Sequence, residues 1–454
     1  MRTGYLRSLI IGLITFASLA GVAAPACGWE KEPLAVYHQR RARLVPETGD
    51  GVVALFGSGE QDVAASVTTF RQNENFYYLT GWNQPGAMLL LVPKPRTREN
   101  KDQPAELGEE ILFIPPHDYR AERWNGPVLG PDDADATALT GFATVESTTR
   151  FHSELQKALR DFPKLYTELT VQPESGEDCF QKQEVADLRK IAPLAKLEDV
   201  RPYLTEMREM KSPTEIALIR KAVAASVAGQ LAAMKAVQRG VWEYQIAALM
   251  KYEFEKRGCE WPSYPPIVGS GFYSTVLHYD EDSHQMMDGD VVVMDVAGSY
   301  SGYASDITRT LPVNGHFTPR QLEIYNIVLG AQAAAIAAAK PGMMMVGRGK
   351  NSLYKIAYDY INSHGKDLHG KSLGQYFIHG LGHSVGLNVH DPMNYVEPLR
   401  PGMVVTMEPG VYIPEEKIGV RIEDMILITP DGAEVLTLAL PKDPGQIERI
   451  MAGV

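Results

Sequence analysis

Four carboxylates and a cluster of histidines in the second half of the chain are the residues whose types and spacing could do chemistry. Asp295 closes the apolar run 289–295 (GDVVVMD), and Glu408 closes 402–408 (GMVVTME). Each run is followed by a loop and a second acid inside what reads as another strand, Asp306 in SDITRTL and Glu423 in RIEDMIL. A carboxylate in a buried setting is costly unless it is paired or holds a cation. One such acid reads as a strand end at the surface. Four in matched settings point to a cation site, and two related halves would build it at their interface. His379, His383 and His390 lie in 378–391 (IHGLGHSVGLNVHD), three of the chain's 11 histidines in one short Gly-rich stretch that core packing does not require. One imidazole there can ligate a metal while the others donate hydrogen bonds to a carbonyl or a tetrahedral oxyanion. Oxygen ligands with a single imidazole suit Mn, Fe, Co or Zn better than Cu or a thiolate-bound metal.

The elements that must position these residues divide the chain in two. Tyr37 to Leu44 reads as a short helix with a basic face, and Gly51 to Gly57 as a strand bounded by glycines. Ala87–Val92 and Ile111–Ile114 follow as strands, with an exposed Pro- and charge-rich loop over 93–108 between them. Helical patterns at 151–160 and 184–194 complete an α/β domain over residues 29–200. The second unit spans 205–445. Its first helix is announced by Ser212-Pro213-Thr214-Glu215, a capping serine with proline in the first turn, and runs to about Arg239 before Gly240. Further helices read at 242–258, 331–339 and 353–361, and strands at 291–296, 308–313, 404–407 and 422–428.

Composition narrows the function classes. The 454 residues carry 44 Lys+Arg against 56 Asp+Glu, a net charge of -12, which disfavours nucleic acid as a partner. Arg2 and Arg7, the apolar run 9–22 and the small residues Ala23, Ala24 and Ala26 follow the order of a cleavable signal peptide over residues 1–26. That run is short of the ~20 residues that span a bilayer, so no stable membrane span is expected and the protein is read as secreted or periplasmic. Cys27 raises lipoprotein anchoring as an alternative. A bridge between Cys179 and Cys259 is open in an oxidising compartment, but sequence separation alone does not support it.

With these residues in place, the chain resembles the pita-bread metallopeptidases, and from Tyr37 onward their Xaa-Pro aminopeptidase (aminopeptidase P) branch. The resemblance rests on 70–91 (FRQNENFYYLTGWNQPGAMLLL), VLHY at 276–279, 294–310 (MDVAGSYSGYASDITRT), 379–391 (HGLGHSVGLNVHD), MEPGVY at 407–412 and GVRIED at 419–424, in this order. It implies an α/β (α+β) chain, a creatinase-like N-terminal domain followed by a pita-bread catalytic domain. It also implies two divalent metal ions, usually Mn, with Co, Fe or Zn as alternatives. Asp295 would chelate one ion, Asp306 and Glu423 would bridge both, and His383 and Glu408 would complete the second. Glu408 would also accept a proton as general base, His278 and His390 would contact the scissile amide, and His379 would shape the site from behind. Arg421 would orient the ligand carboxylates.

The implied substrates are peptides with proline at the second position. An X-Pro bond is a tertiary amide without an N–H, and Tyr264, Tyr279, Tyr303 and Tyr395 are candidates to line a pocket for the ring, with ordinary aromatic core as the alternative for each. The implied assembly is a homo-oligomer, a dimer or tetramer. Two positions depart from the pattern: Tyr273 stands where Asn is frequent, and Met425 where a further acid is frequent after RIED. The competing readings are a proline dipeptidase, disfavoured by the compact segment between Glu408 and Glu423, and an inactive peptidase-like scaffold, disfavoured because all five ligand positions are kept. A methionine aminopeptidase would lack the large first domain, and creatinase would not keep this ligand set.

Overall fold

The computed structural model describes residues 30–59, 70–97, 102–169 and 178–453. The expected signal-peptide segment and Cys27 lie outside the described residues, as does the side chain of Cys179; Cys259 is buried and, among the described residues, in no disulfide.

The first domain is built on a six-stranded mixed sheet. Its strands are β1 (Gly51–Phe56), β2 (Met88–Pro93), β3 (Leu107–Ile114), β4 (Thr144–Ser147), β5 (Lys164–Thr167) and β6 (Lys196–Asp199), in the order β4-β3-β2-β1-β5-β6. The centre is antiparallel (β1 with β2, β2 with β3) and both flanks are parallel. Strands β1 and β2 are buried on both faces, as their near-continuous Val and Leu runs require. The aromatic segment after Phe70 forms a helix, Glu74–Thr80, with the Asn73 side chain accepting from the Phe76 N–H.

The second domain pairs long helices with short antiparallel strands. Helix Pro213–Ala236 begins as the sequence predicts, with a reciprocal capping box between Ser212 and Glu215. It is long and apolar enough to cross a membrane, but 56% of its most apolar window is buried in the core, where it packs on helix Glu243–Glu255. The next pair is Pro319–Ala338 and Leu353–Ser363. The expected helix at 331–339 thus begins twelve residues earlier, at a second capping box, Thr318 with Gln321, again with proline in the first turn.

Beside these helices lie β7 (Trp261–Pro262), β8 (Ile267–Ser270), β9 (Val291–Asp295), β10 (Gly298–Ser299) and β11 (Thr308–Pro312), then β12 (Val404–Met407), β13 (Gly410–Ile413), β14 (Ile418–Arg421), β15 (Asp424–Ile428) and β16 (Ala433–Val435). Strand β9 sits between β8 and β11, and β15 sits between β12 and β16. In register, Asp295 faces Thr308 and Met407 faces Asp424. The expected single strand at 422–428 is broken: Ile422 and Glu423 belong to neither β14 nor β15. Likewise Asp306 and Glu423 stand just ahead of β11 and β15, not inside them. The two halves therefore present their acids alike, one at the end of a strand and one just ahead of its antiparallel partner.

The domains meet through buried charge. The Arg40 guanidinium lies 2.7 Å from Glu32 and 3.2 Å from Glu215, and Tyr303 and Thr214 also donate to Glu32. The Glu30 N–H donates to Ser301 Oγ at 2.9 Å. Arg208, in helix Arg201–Glu209 that leaves the first domain, donates to Asn75 Oδ1 at 2.7 Å and Asp391 Oδ1 at 2.6 Å. Lys211 Nζ lies 3.2 Å from Asp391 Oδ2 and donates to Ser384 Oγ. Tyr303, a candidate for a proline pocket, is thus a wholly buried member of this seam.

Candidate active site

The four acids converge because two strand pairs splay apart at corresponding points. The Tyr264 hydroxyl lies between the two carboxylates, 2.6 Å from Asp295 Oδ1 and 2.5 Å from Asp306 Oδ1. Asp306 Oδ2 lies 3.3 Å from His383 Nε2, which is 3.5 Å from Glu408 Oε1. Glu423 Oε2 accepts from Thr308 Oγ1 at 2.7 Å. His383 is delivered by the Gly-rich segment: a Cβ on Gly382 would collide with the Thr406 backbone, so only glycine lets this segment lie against β12. There the His383 N–H donates to Thr406 Oγ1 and the Thr406 N–H donates back to the His383 carbonyl. His383 Nδ1 faces the Ser384 carbonyl at 3.2 Å. A carbonyl only accepts, so Nδ1 carries the proton and Nε2 turns toward the acids.

One cavity of about 560 Å³ is lined by all five predicted ligands together with His278, His379, His390 and Arg421. Ligand atoms of Asp306, His383 and Glu423 lie within 4.8 Å of one another. Asp295 joins this group through Tyr264, and Glu408 joins it through His383. Arg421 donates to Asp295 Oδ2 at 2.7 Å and to the Tyr412 hydroxyl at 3.0 Å, and Tyr412 is 2.8 Å from His379 Nε2. Nδ1 of His379 donates to the Gly380 carbonyl, so the Tyr412 hydroxyl is the donor to Nε2. The His383 and His390 rings meet edge to face at 4.4 Å. His278 is solvent-exposed on the cavity wall.

The residues present fit divalent cations. Glu423 is 1% exposed, yet its Oε1 is a buried oxygen with no hydrogen-bond partner among the described residues. Burial and the charges of Asp306, Glu408 and Asp295 push its pKa well above the ordinary value. Burial also raises Glu408, to about 7, with Asp306 and Asp295 reinforcing it against His383 and Arg421. Burial opposes charge on His383, but the hydrogen bond to Asp306 and the charge of Glu408 outweigh it and lift the pKa to about 9. Burial likewise opposes charge on Asp306, and the His383 contact more than offsets it. His379 goes the other way, to about 4, through burial and the adjacent Arg421 charge, and is neutral at physiological pH.

A cluster that holds protons until a cation replaces them predicts its own pH dependence. Bound cations need Glu408 and His383 deprotonated, so Mn affinity should rise with pH up to about 9, the His383 value, and each binding event should release protons. Calorimetric titrations in buffers of different ionisation enthalpy measure this directly. Affinity that is flat across the neutral range would remove the proton-competition argument.

Sequence reasoning missed several residues here. Tyr264, a candidate to line a proline pocket, does line the cavity, but its hydroxyl also sits between Asp295 and Asp306, which sequence reasoning did not foresee. Tyr279 is turned away, its hydroxyl donating to Glu243 at 2.9 Å, and neither it nor Tyr395 lines the cavity. Tyr412, Thr308 and Arg309 lie inside the motifs MEPGVY and SDITRTL, but nothing in those motifs marked what their side chains do. Arg309 is fully buried behind Glu423 and spends its guanidinium N–H groups on Asp424 and four carbonyls, those of Thr308, Glu423, Leu440 and Pro441. Of the two departures from the family pattern, Tyr273 stacks on Tyr279 at 4.5 Å. Met425 places its sulfur as acceptor for the Asp306 N–H at 3.2 Å.

The comparisons agree with this architecture. The family model "Metallopeptidase family M24" matches residues 217–430, and "Aminopeptidase P, N-terminal domain" matches 37–166. The Xaa-Pro aminopeptidase of Escherichia coli K12 is 35% identical over 447 residues, covering 91% of this chain and 97% of that protein. The solved structure of aminopeptidase P from Escherichia coli with the inhibitor Pro-Leu superposes with a TM-score of 0.80 at 32% identity, covering 93% of this chain and 99% of that one. The Xaa-Pro dipeptidase of Pyrococcus furiosus is 38% identical, but over 288 residues, 63% of this chain and 76% of that protein. With a catalytic domain matched along its length and a first domain of the aminopeptidase P type ahead of it, the chain belongs to metallopeptidase family M24.

Proposed function

We propose that this chain is a metal-dependent aminopeptidase that hydrolyses the first peptide bond of substrates with proline at the second position. The observation that carries the reading is the buried, unpartnered Glu423 Oε1 beside Asp306 and His383 on the wall of an open cavity. The match with aminopeptidases over nearly the whole of both chains supports this reading over a dipeptidase. Asp295, Asp306, His383, Glu408 and Glu423 would hold two divalent ions, for which we propose Mn. When bound, such ions supply Lewis acidity, lowering the pKa of water and polarising a carbonyl.

The protein's own groups do the rest. Glu408, deprotonated when cations are bound, would accept the proton of the attacking water. His278 and His390 present N–H donors to the scissile amide and to the oxyanion that develops from it. Arg421 fixes the Asp295 carboxylate by a charge-assisted hydrogen bond and, through Tyr412, holds neutral His379 in one orientation. The apolar wall of Ile267, Leu277 and Val389 suits a pyrrolidine ring. We further propose that residues 1–26 direct export and that the first domain makes the contacts of a homo-oligomer.

The test compares Xaa-Pro dipeptides with Xaa-Pro-Yaa tripeptides on Mn-loaded protein, with products resolved by chromatography. Release of the free first residue from tripeptides is expected. Cleavage of dipeptides alone would make the protein a prolidase. No cleavage of either, with metal bound, would make it a scaffold.

A further inference from the structure

The two halves of the catalytic domain share a device that the ligand set does not include. Each long helix carries one fully buried glutamine, Gln230 in Pro213–Ala236 and Gln332 in Pro319–Ala338. Gln230 Nε2 faces the carbonyls of Met294, Val296 and Ile307 at 3.3, 3.2 and 3.0 Å. These residues flank Asp295 on both sides and follow Asp306. Gln332 Nε2 donates to the carbonyls of Met407 and Ile422, both at 2.9 Å. Those residues immediately precede Glu408 and Glu423. Carbonyls only accept, so in both cases the side-chain NH2 must be the group that faces them.

The placement has a physical reason. Where β9 leaves β11, and β12 leaves β15, the strand ladders run out: past the last β9–β11 pair the Val296 N–H reaches the Ile307 carbonyl only at a long 3.4 Å. A buried carbonyl left short of donors is unfavourable, and one side-chain amide per half reinforces these ladder ends. It does so across both strands at once, which fixes the spacing between the two acids that the strands deliver. The halves differ behind the amide: Gln332 Oε1 accepts from Lys442 Nζ at 2.8 Å, whereas Gln230 Oε1 has no hydrogen-bond partner among the described residues.

We propose that Gln230 and Gln332 are positioning residues for the metal centre, each setting the separation of one pair of acids, Asp295 with Asp306 and Glu408 with Glu423. The proposal rests on the metal-centre reading above, and it predicts a division of labour that a general packing role does not. Methionine fills the same volume without donors. Each pair holds one terminal and one bridging acid, so in stepwise Mn titrations of metal-free protein Gln230→Met should weaken chiefly the step that fills the Asp295 site, about 10-fold or more, and Gln332→Met chiefly the step that fills the Glu408 site, as for other groups that orient ligands from behind. Should the methionine variants not fold, Gln230→Asn and Gln332→Asn, which keep the amide but fall short of the carbonyls, are read in the same titration.

Affinities within about twofold of wild type in both steps, or equal weakening of both steps by either variant together with a lower melting temperature, would overturn the proposal in favour of simple packing. Wild-type protein that binds fewer than two Mn ions would instead remove the reading beneath it, and with it the proposal.

Discussion

Glu423→Gln is expected to abolish metal-dependent turnover without lowering the melting temperature of the metal-free protein. The substitution keeps the shape of a side chain that is 1% exposed. In metal-free protein it removes a carboxyl that burial and three neighbouring acids already disfavour as an anion, so stability should hold or rise. With metal present the balance reverses. An amide is a poor substitute for the carboxylate proposed to bridge two cations, and losing several kcal/mol of transition-state stabilisation corresponds to a rate loss of ~10³ or more. Asp306→Ala should behave alike, with its fold largely intact. Initial rates, metal content by elemental analysis, and thermal unfolding with and without Mn separate the effects. Activity within tenfold of wild type, or undiminished metal content, would defeat the assignment.

The second large effect lies at the domain seam. Asp391→Ala should cost about 3–5 kcal/mol of stability, because it strands two buried cations. Arg208 and Lys211 both direct their charge at this carboxylate, and the Asn388 N–H donates to it as well. Burial pushes the Asp391 carboxyl up, but Arg208 and Lys211 outweigh it and hold the pKa below the ordinary aspartate range. A depressed pKa contributes stability that is present above the unfolded value of about 4 and is lost as pH falls through the folded one. The variant should therefore lose stability at neutral pH and show a shallower acid limb. Chemical denaturation at several pH values measures both. Arg208→Met in the Asp391→Ala background should recover part of the loss, since it removes one stranded charge. A neutral-pH cost below about 1 kcal/mol, well under the range for breaking a buried pair, would mean that water reaches the seam.

These expectations show which parts of the architecture local sequence can carry. An apolar run closed by an acid is a local pattern, and it located Asp295 and Glu408 at strand ends. Ser212-Pro213 marked a helix start for the same reason. Thr318-Pro319 carries an equivalent signal, but the alanines of 331–339 drew the boundary inward. The apolar alternation through 422–428 read as one strand, because nothing nearby says that the chain must leave β14 and re-enter at β15 so that Glu423 can reach the cavity. What Tyr264, Tyr412 and Arg309 do depends on partners from 9 to more than 100 residues away, and the meeting of those side chains is a tertiary fact. Gln230 and Gln332 did leave a trace, as amides set among mostly small and apolar residues in the middle of long helices.

The seam at the chain's beginning bears on how the protein comes into being. Glu32 is bound by Tyr303, 271 positions later, and Arg40 shares its charge with Glu32 and Glu215. At ~5–20 residues per second of synthesis, the start of the chain waits on the order of tens of seconds for the tyrosine that completes its hydrogen bonding. Until then Arg40 lacks its full set of partners, and desolvating it is unfavourable. The first domain can gather its sheet and first helix early, but the buried charges of Glu32 and Arg40 find their remaining partners only after most of the catalytic domain has been made. Assembly thus ends near where translation began, and a chain cut between the domains would leave each part with charges designed for the other.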